Sequence, residues 1–144
     1  MAEQFSKYFK FEEFIESSTA RQKSLQNIPS WEQVLRLRQL ARFLDELREA
    51  WGSGIRVTSG FRCDALNKAV GGVPNSIHRI AWAADIFPIN GKIAEFKKFV
   101  RNWVKDKDFD QVILEKDKKG NEWIHLGLFN NAGQQRHQLF SLTA

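Results

Sequence analysis

A chain of 144 residues, 42% hydrophobic and 27% charged, is long enough for one domain that buries about two-thirds of the surface its unfolded form would expose. The formal net charge of +5 favours polyanionic surroundings in general, but the lysines and arginines are dispersed, with no long block of like charge, which argues against a nucleic-acid binder. The single cysteine, Cys63, excludes an intramolecular disulfide and a cysteine-built metal site, and no apolar run comes near the length of about eighteen residues that spans a membrane.

In chain order, the stretch Met1 to Lys10 lacks an apolar core of secretory length, which with the lone cysteine predicts synthesis in a reducing cytoplasm. Phe11 to Glu16 reads as a short helix and Ser17 to Pro29 as a polar, ordered loop. Ser30-Trp-Glu-Gln33 fits a capping box, and Val34, Leu37, Leu40, Ala41, Leu44, Leu47 and Trp51 then recur at intervals of three and four, the stripe of an amphipathic helix. Gly52-Ser-Gly54 stops it. Ile55 to Ser59 alternates as a strand, Asp64 is placed to cap a short helix that ends at Gly71-Gly72, and Ala83 to Ile89 reads as a buried strand. Asn90-Gly91 leads into a helix with Ile93, Phe96, Val100, Trp103 and Val104 on one side, and Val112 to Glu115 and Trp123 to Leu126 form a hairpin around Asp117 to Asn121. Two adjacent strands at the end predict an α+β fold with a largely antiparallel sheet.

The chemistry is concentrated in three places. His78, Asp85 and His125 supply two imidazoles and a carboxylate, a three-ligand set for a catalytic zinc with a fourth position open to water, and a nearby carboxylate such as Glu122 can take the proton from that water. The gap of seven between His78 and Asp85 works only if a loop carrying His78 turns into a strand near Asp85. In a strand Glu122 has the opposite parity to His125 and reaches the same metal only where a turn or bulge re-aims it. Taken alone, the same residues also fit two ordinary histidines, a strand-edge Asp85 and a solvent-exposed Glu122, while His137 in the polar tail reads as surface.

Ser59-Gly-Phe-Arg-Cys-Asp-Ala-Leu-Asn67, Val70-Gly-Gly72, Asn75-Ser-x-His78 and Ala83-Ala-Asp85-Ile, followed by Phe109 to Glu115 and Trp123-Ile-His125, resemble the zinc D-Ala-D-Ala carboxypeptidase family. That family shares its fold with the Hedgehog signalling domain and includes phage endolysins. Tyr8 to Phe14 and Ser17 to Ala20 resemble leader segments of phage-type members, so the resemblance covers nearly the whole chain. It implies that His78, Asp85 and His125 bind zinc, that Arg62 steadies the bound peptide or the oxyanion, as a guanidinium fork suits, and that Glu122 is the acid/base residue. Glu115 in the neighbouring strand is the competing candidate. Ser76 either donates a hydrogen bond near the metal or serves the loop.

The expectation is thus a single zinc peptidase domain over residues 1–144, without a separate wall-binding domain. It would cleave amide bonds of peptidoglycan stem peptides as a monomer, without membrane insertion, and reach the bacterial wall through a pore made by another protein. The alternatives are a non-catalytic zinc module of the same fold that binds wall peptide or a protein partner, and a phage structural component. Two departures bear on substrate choice, Ala81 and Cys63, the latter standing where a small polar residue is common. Ala81 stands where the family's His-x-x-Gly-x-Ala-x-Asp pattern has glycine, which costs on the order of 1 kcal/mol if the position needs a positive φ. Trp82 beside it would then reshape the groove.

Overall fold

The computed structural model describes residues 4–143; Met1 to Glu3, at the head of the amino-terminal stretch read above, and Ala144 lie outside the described residues. Among the described residues four α-helices pack with one five-stranded sheet, the α+β fold expected.

The long helix α2 (Trp31–Trp51) starts where its capping box predicts. The Ser30 hydroxyl accepts from the Gln33 amide at 3.2 Å, and the Gln33 side chain accepts from the Ser30 amide at 2.8 Å. Leu37, Leu40, Leu44 and Leu47 are fully buried, each contributing about 2 kcal/mol of hydrophobic stabilisation. The helix stops at Gly52, whose φ of 79° only glycine adopts cheaply. Helix α4 (Ile93–Trp103) buries Phe96 and Val100 beside it, and Val104 follows in a short 3-10 turn.

The strands are β1 (Ile55–Ser59), β2 (Ala83–Pro88), β3 (Gln111–Lys116), β4 (Glu122–Gly127) and β5 (Gln138–Thr143). Their order in the sheet is β1-β2-β4-β3-β5, antiparallel throughout except that β5 runs parallel to β3. Alternation divides each strand between two faces. Ala84, Ile86, Val112, Leu114, Ile124 and Leu126 are buried in the core shared with α2 and α4. Asp85, Phe87, Ile113, Glu115, Trp123 and His125 fall on the other, more open face.

Several local expectations are corrected. Phe11–Phe14 is a 3-10 turn, and the supposed loop after it contains a five-residue helix, α1 (Ser18–Gln22), capped by the Ser17 hydroxyl. Helix α3 (Asp64–Ala69) is capped by the Cys63 sulfur rather than by Asp64. A 3-10 turn, Ile77–Ile80, carries His78. Strand β5 carries no clear alternation because it is an edge strand exposed on both faces, with only Leu139 partly covered. Its pairing is started by long-range contacts, His137 N–H to the Phe109 carbonyl and Gln138 N–H to the Asp110 carbonyl, both 2.9 Å. His137 is exposed, as read, with its ring against Phe109. No helix among the described residues is long and apolar enough to cross a membrane.

Candidate metal centre

Pairing of β2 with β4 sets Asp85 directly opposite His125, so two of the predicted ligands meet through sheet register alone. The third comes from the irregular segment between β1 and β2. His78 sits in its 3-10 turn with the Ser76 hydroxyl accepting from the His78 amide at 3.2 Å, which gives Ser76 its loop role. The turn reaches the strands by way of Ala81, whose φ of 69° and ψ of 22° place it in the left-handed region. The expected strain at this non-glycine position is therefore present, and its methyl is fully buried. The Trp82 ring packs at a tilt against Phe129, with the Arg36 guanidinium over it.

The three side chains converge so that one ligand atom from each lies within 4.8 Å of the others. Asp85 Oδ1 is 3.4 Å from His78 Nε2 and 3.2 Å from His125 Nδ1. The His78 ring is 2% exposed, and its Nδ1 lies 2.8 Å from the Gly60 carbonyl. A carbonyl only accepts, so Nδ1 carries the proton and donates it. Burial pushes His78 below its ordinary pKa despite the Asp85 charge, and in the neutral ring Nε2 then holds a lone pair. That lone pair faces a carboxylate oxygen. Burial alone would raise Asp85; charge on the two histidines, when they carry it, overrides that push and holds the carboxyl well below the usual carboxylate range. Two electron-rich atoms thus face each other in a partly buried site, an arrangement that suits a divalent cation. A His ring oriented by a carbonyl on its far nitrogen is also the usual support of a metal ligand. The residues present fit a metal.

Two close approaches hold this geometry. A Cβ on Gly60 would collide with the Phe14 carbonyl, and one on Gly127 would meet Ile77 of the His78 turn. Asn27, in the stretch read as a plain loop, donates to the Ile15 and Phe61 carbonyls at 3.0 and 2.9 Å and accepts from the Cys63 amide at 2.8 Å. It clamps the segment on both sides of Arg62. Arg62 donates its backbone N–H to the His78 carbonyl at 3.1 Å, while its buried Nε has no partner among the described residues. Burial pushes the guanidinium's pKa down, with Asp85 and Glu115 pulling it back. Arg62 and Asp85 line one cavity of 410 Å³ that runs along β1 to α1. A second, of 530 Å³, is lined by Asp85, Phe87 and Trp123 on the side of the β3–β4 turn. Open space therefore flanks Asp85 in both directions.

The two candidate acids are placed differently. Glu122 borders the second cavity, but by parity it belongs with Ile124 and Leu126, and no bulge re-aims it. Its carboxylate is held by Lys97 of α4 at 2.8 Å, and Lys97 keeps it below its ordinary pKa. Glu115 lies on the same face as His125, one strand over and two residues along, opposite Trp123, whose indole N–H donates to it at 3.1 Å. Burial pushes Glu115 above its ordinary value and the Asp85 charge adds to the push. The parity objection to Glu122 was thus visible in the sequence; the Lys97 partner was not.

The sequence matches the family model described as peptidase M15 over residues 7–127, a span that contains every residue of the cluster. No curated protein matches it. With a match over most of its length and a His-Asp-His group fit to bind a metal, the chain belongs to the peptidase M15 family, whose members are metal-dependent peptidases.

Proposed function

We propose that the protein is a zinc-dependent peptidase of peptidoglycan stem peptides or cross-links, a wall-degrading enzyme of the endolysin type that works as a monomer. The observation that carries the peptidase reading is the cluster His78, Asp85 and His125, set between two cavities on the open face of the sheet. The wall substrate is supported by the resemblance of the Ser59–Asn67 and Asn75–Asp85 segments to the D-Ala-D-Ala carboxypeptidases.

Zinc, when bound by these three residues, supplies Lewis-acid chemistry and lowers the pKa of a coordinated water toward about 7. An extended peptide lying along the open face occupies both cavities and brings a scissile amide over the cluster. In this reading Glu115 takes the proton of the attacking water and returns it to the leaving amine. A carboxyl raised by burial is better matched to that work near neutrality than one held ionised by a lysine. Arg62, half-buried beside the cluster with a buried, unpaired Nε, holds the substrate carboxylate or the developing oxyanion. The Gly60 carbonyl keeps the His78 ring in its working tautomer.

The test is mass spectrometry of purified peptidoglycan incubated with the protein, with and without a zinc chelator. Chelator-sensitive release of fragments of defined mass is the expected result and names the bond. Absence of release from several wall types, with zinc verified in the sample, refutes the peptidase reading in favour of a binding module.

A further inference from the structure

The cavity along β1 contains more positive charge than the chain neutralises. Three arginines line it, Arg21, Arg56 and Arg62, with Glu16 and Asp85 as the only acids. Glu16 is engaged by Arg21 in an ion pair, and Asp85 is engaged by the two histidines. Arg56 and Arg62 remain: among the described residues neither guanidinium has an ion-pair or hydrogen-bond partner within bonding distance, and Asp85 and Glu115 act on Arg62 only from farther away.

Arg56 is placed by register. A bulge at Thr58 lets Ser59 pair with Asp85, so Arg56 pairs with Phe87, two residues farther along β2 on the open face. That is a step of about 7 Å along the groove from the Asp85 row, or about two residues of an extended peptide. The Thr58 hydroxyl, between them, donates to the Asp85 carbonyl at 3.2 Å and ties the bulge to the site. Charged side chains on an edge strand such as β1 do guard against strand pairing. That duty needs no shared cavity with a second unpaired arginine, and two like charges there repel unless anions lie against them.

Resting on the peptidase reading above, we propose that Arg56 is a specificity-determining residue that reads a second carboxylate of the peptide. The preferred substrate is then a di-acid: the oxyanion of the scissile amide falls to Arg62, and a carboxylate about two residues away on the amino-terminal side falls to Arg56. Amidation of that second carboxylate removes the charge and half of the bidentate acceptor, so it weakens the substrate.

The probes are three synthetic peptides: L-Ala-γ-D-Glu-L-Lys-D-Ala-D-Ala, the same peptide with the D-Glu α-carboxylate amidated, and the same peptide with the terminal carboxylate amidated. Binding by calorimetry and hydrolysis by mass spectrometry are measured on the zinc-loaded wild type, Arg56→Gln and Arg56→Lys. The wild type is expected to bind the di-acid about tenfold more tightly than the D-Glu amide, the scale of one charge-assisted contact. Arg56→Gln should bind those two alike and keep the wild-type response to amidation of the terminus; Arg56→Lys should retain part of the discrimination. Equal binding of the di-acid and the D-Glu amide by the wild type overturns the proposal, as does no binding of the di-acid, or an equal loss for all three peptides in Arg56→Gln. Failure of the peptidase reading shows separately, as no hydrolysis of any peptide, while the binding ratios still decide the role of Arg56.

Discussion

Two aspartates, Asp85 half-buried in β2 and Asp110 fully buried beside the first residue of β3, are satisfied in opposite ways. Asp110, just before β3, is fully buried and closed by its own chain. Arg136 grips both of its oxygens, Nε at 2.8 Å and Nη2 at 2.9 Å, and the Arg136 backbone N–H adds a third bond. Asp85 faces two imidazoles, one with its proton already committed to the Gly60 carbonyl. Asp110 needs nothing from outside, whereas Asp85 belongs to a group of three side chains fit to hold a metal ion. The difference separates a carboxylate that fastens β5 to the fold from one that builds a centre for chemistry, although both are Asp residues with a depressed pKa.

The sharpest break in that comparison is functional. In the zinc-loaded protein Glu115→Gln keeps the Trp123 hydrogen bond but cannot accept a proton, so turnover should fall by about a thousandfold, within the range for a lost general base. Zinc content, read by atomic emission, should stay as in the wild type. Glu122→Gln should lower turnover by far less, and the reverse ranking would return the role to Glu122. Metal dependence separates the aspartates next. Zinc at about a thousand times its Kd should stabilise the wild type by about 4 kcal/mol, on the order of 10 °C in the melting temperature. Asp85→Asn should abolish that shift, while Arg136→Ala should leave it intact.

Arg136→Ala strands the Asp110 charge and should destabilise the fold by about 2 kcal/mol, less than a fully enclosed pair because the arginine is partly exposed. The pH dependence has a definite sign. Burial alone would raise Asp110, but the Arg136 hydrogen bonds override it and hold the carboxyl below its ordinary value. A depressed folded pKa means that the unfolded chain binds more protons between the two values. The stabilisation is therefore present above about pH 4 and lost as pH falls through the folded value. Urea midpoints measured from pH 7 down to pH 2 should show this loss in the wild type and a flatter profile in Arg136→Ala. The smallest effect is expected at Ala81→Gly, where relief of left-handed strain and loss of a buried methyl oppose each other. The urea midpoint should correspond to a change of less than about 1 kcal/mol, with zinc affinity unchanged.

Much of the site was legible because its parts are local or periodic. The helix stripe of α2, the alternation of β1 and the hairpin of β3 and β4 are written in residue spacing, and the ligand trio stands out by donor chemistry. Strand β5 was not legible, since an edge exposed on both faces has no alternation to read and its pairing depends on Phe109 and Asp110, nearly thirty residues from their partners. Nor were the surroundings of Glu115 and Glu122. Their distances from His125 along the chain favour Glu122, while strand pairing brings Glu115 to the same face and sends Glu122 to Lys97.

The sequence by itself determined the α+β class, the three candidate ligands and the family they resemble, because donor types, hydrophobic period and turn residues act over a few positions. Tertiary structure alone decided which acid shares the sheet face of His125, which carbonyl orients His78, and that Arg56 and Arg62 line one cavity. Those relations arise from sheet register and from close backbone approaches at Gly60 and Gly127, and no local pattern in the chain encodes a neighbour that only folding supplies.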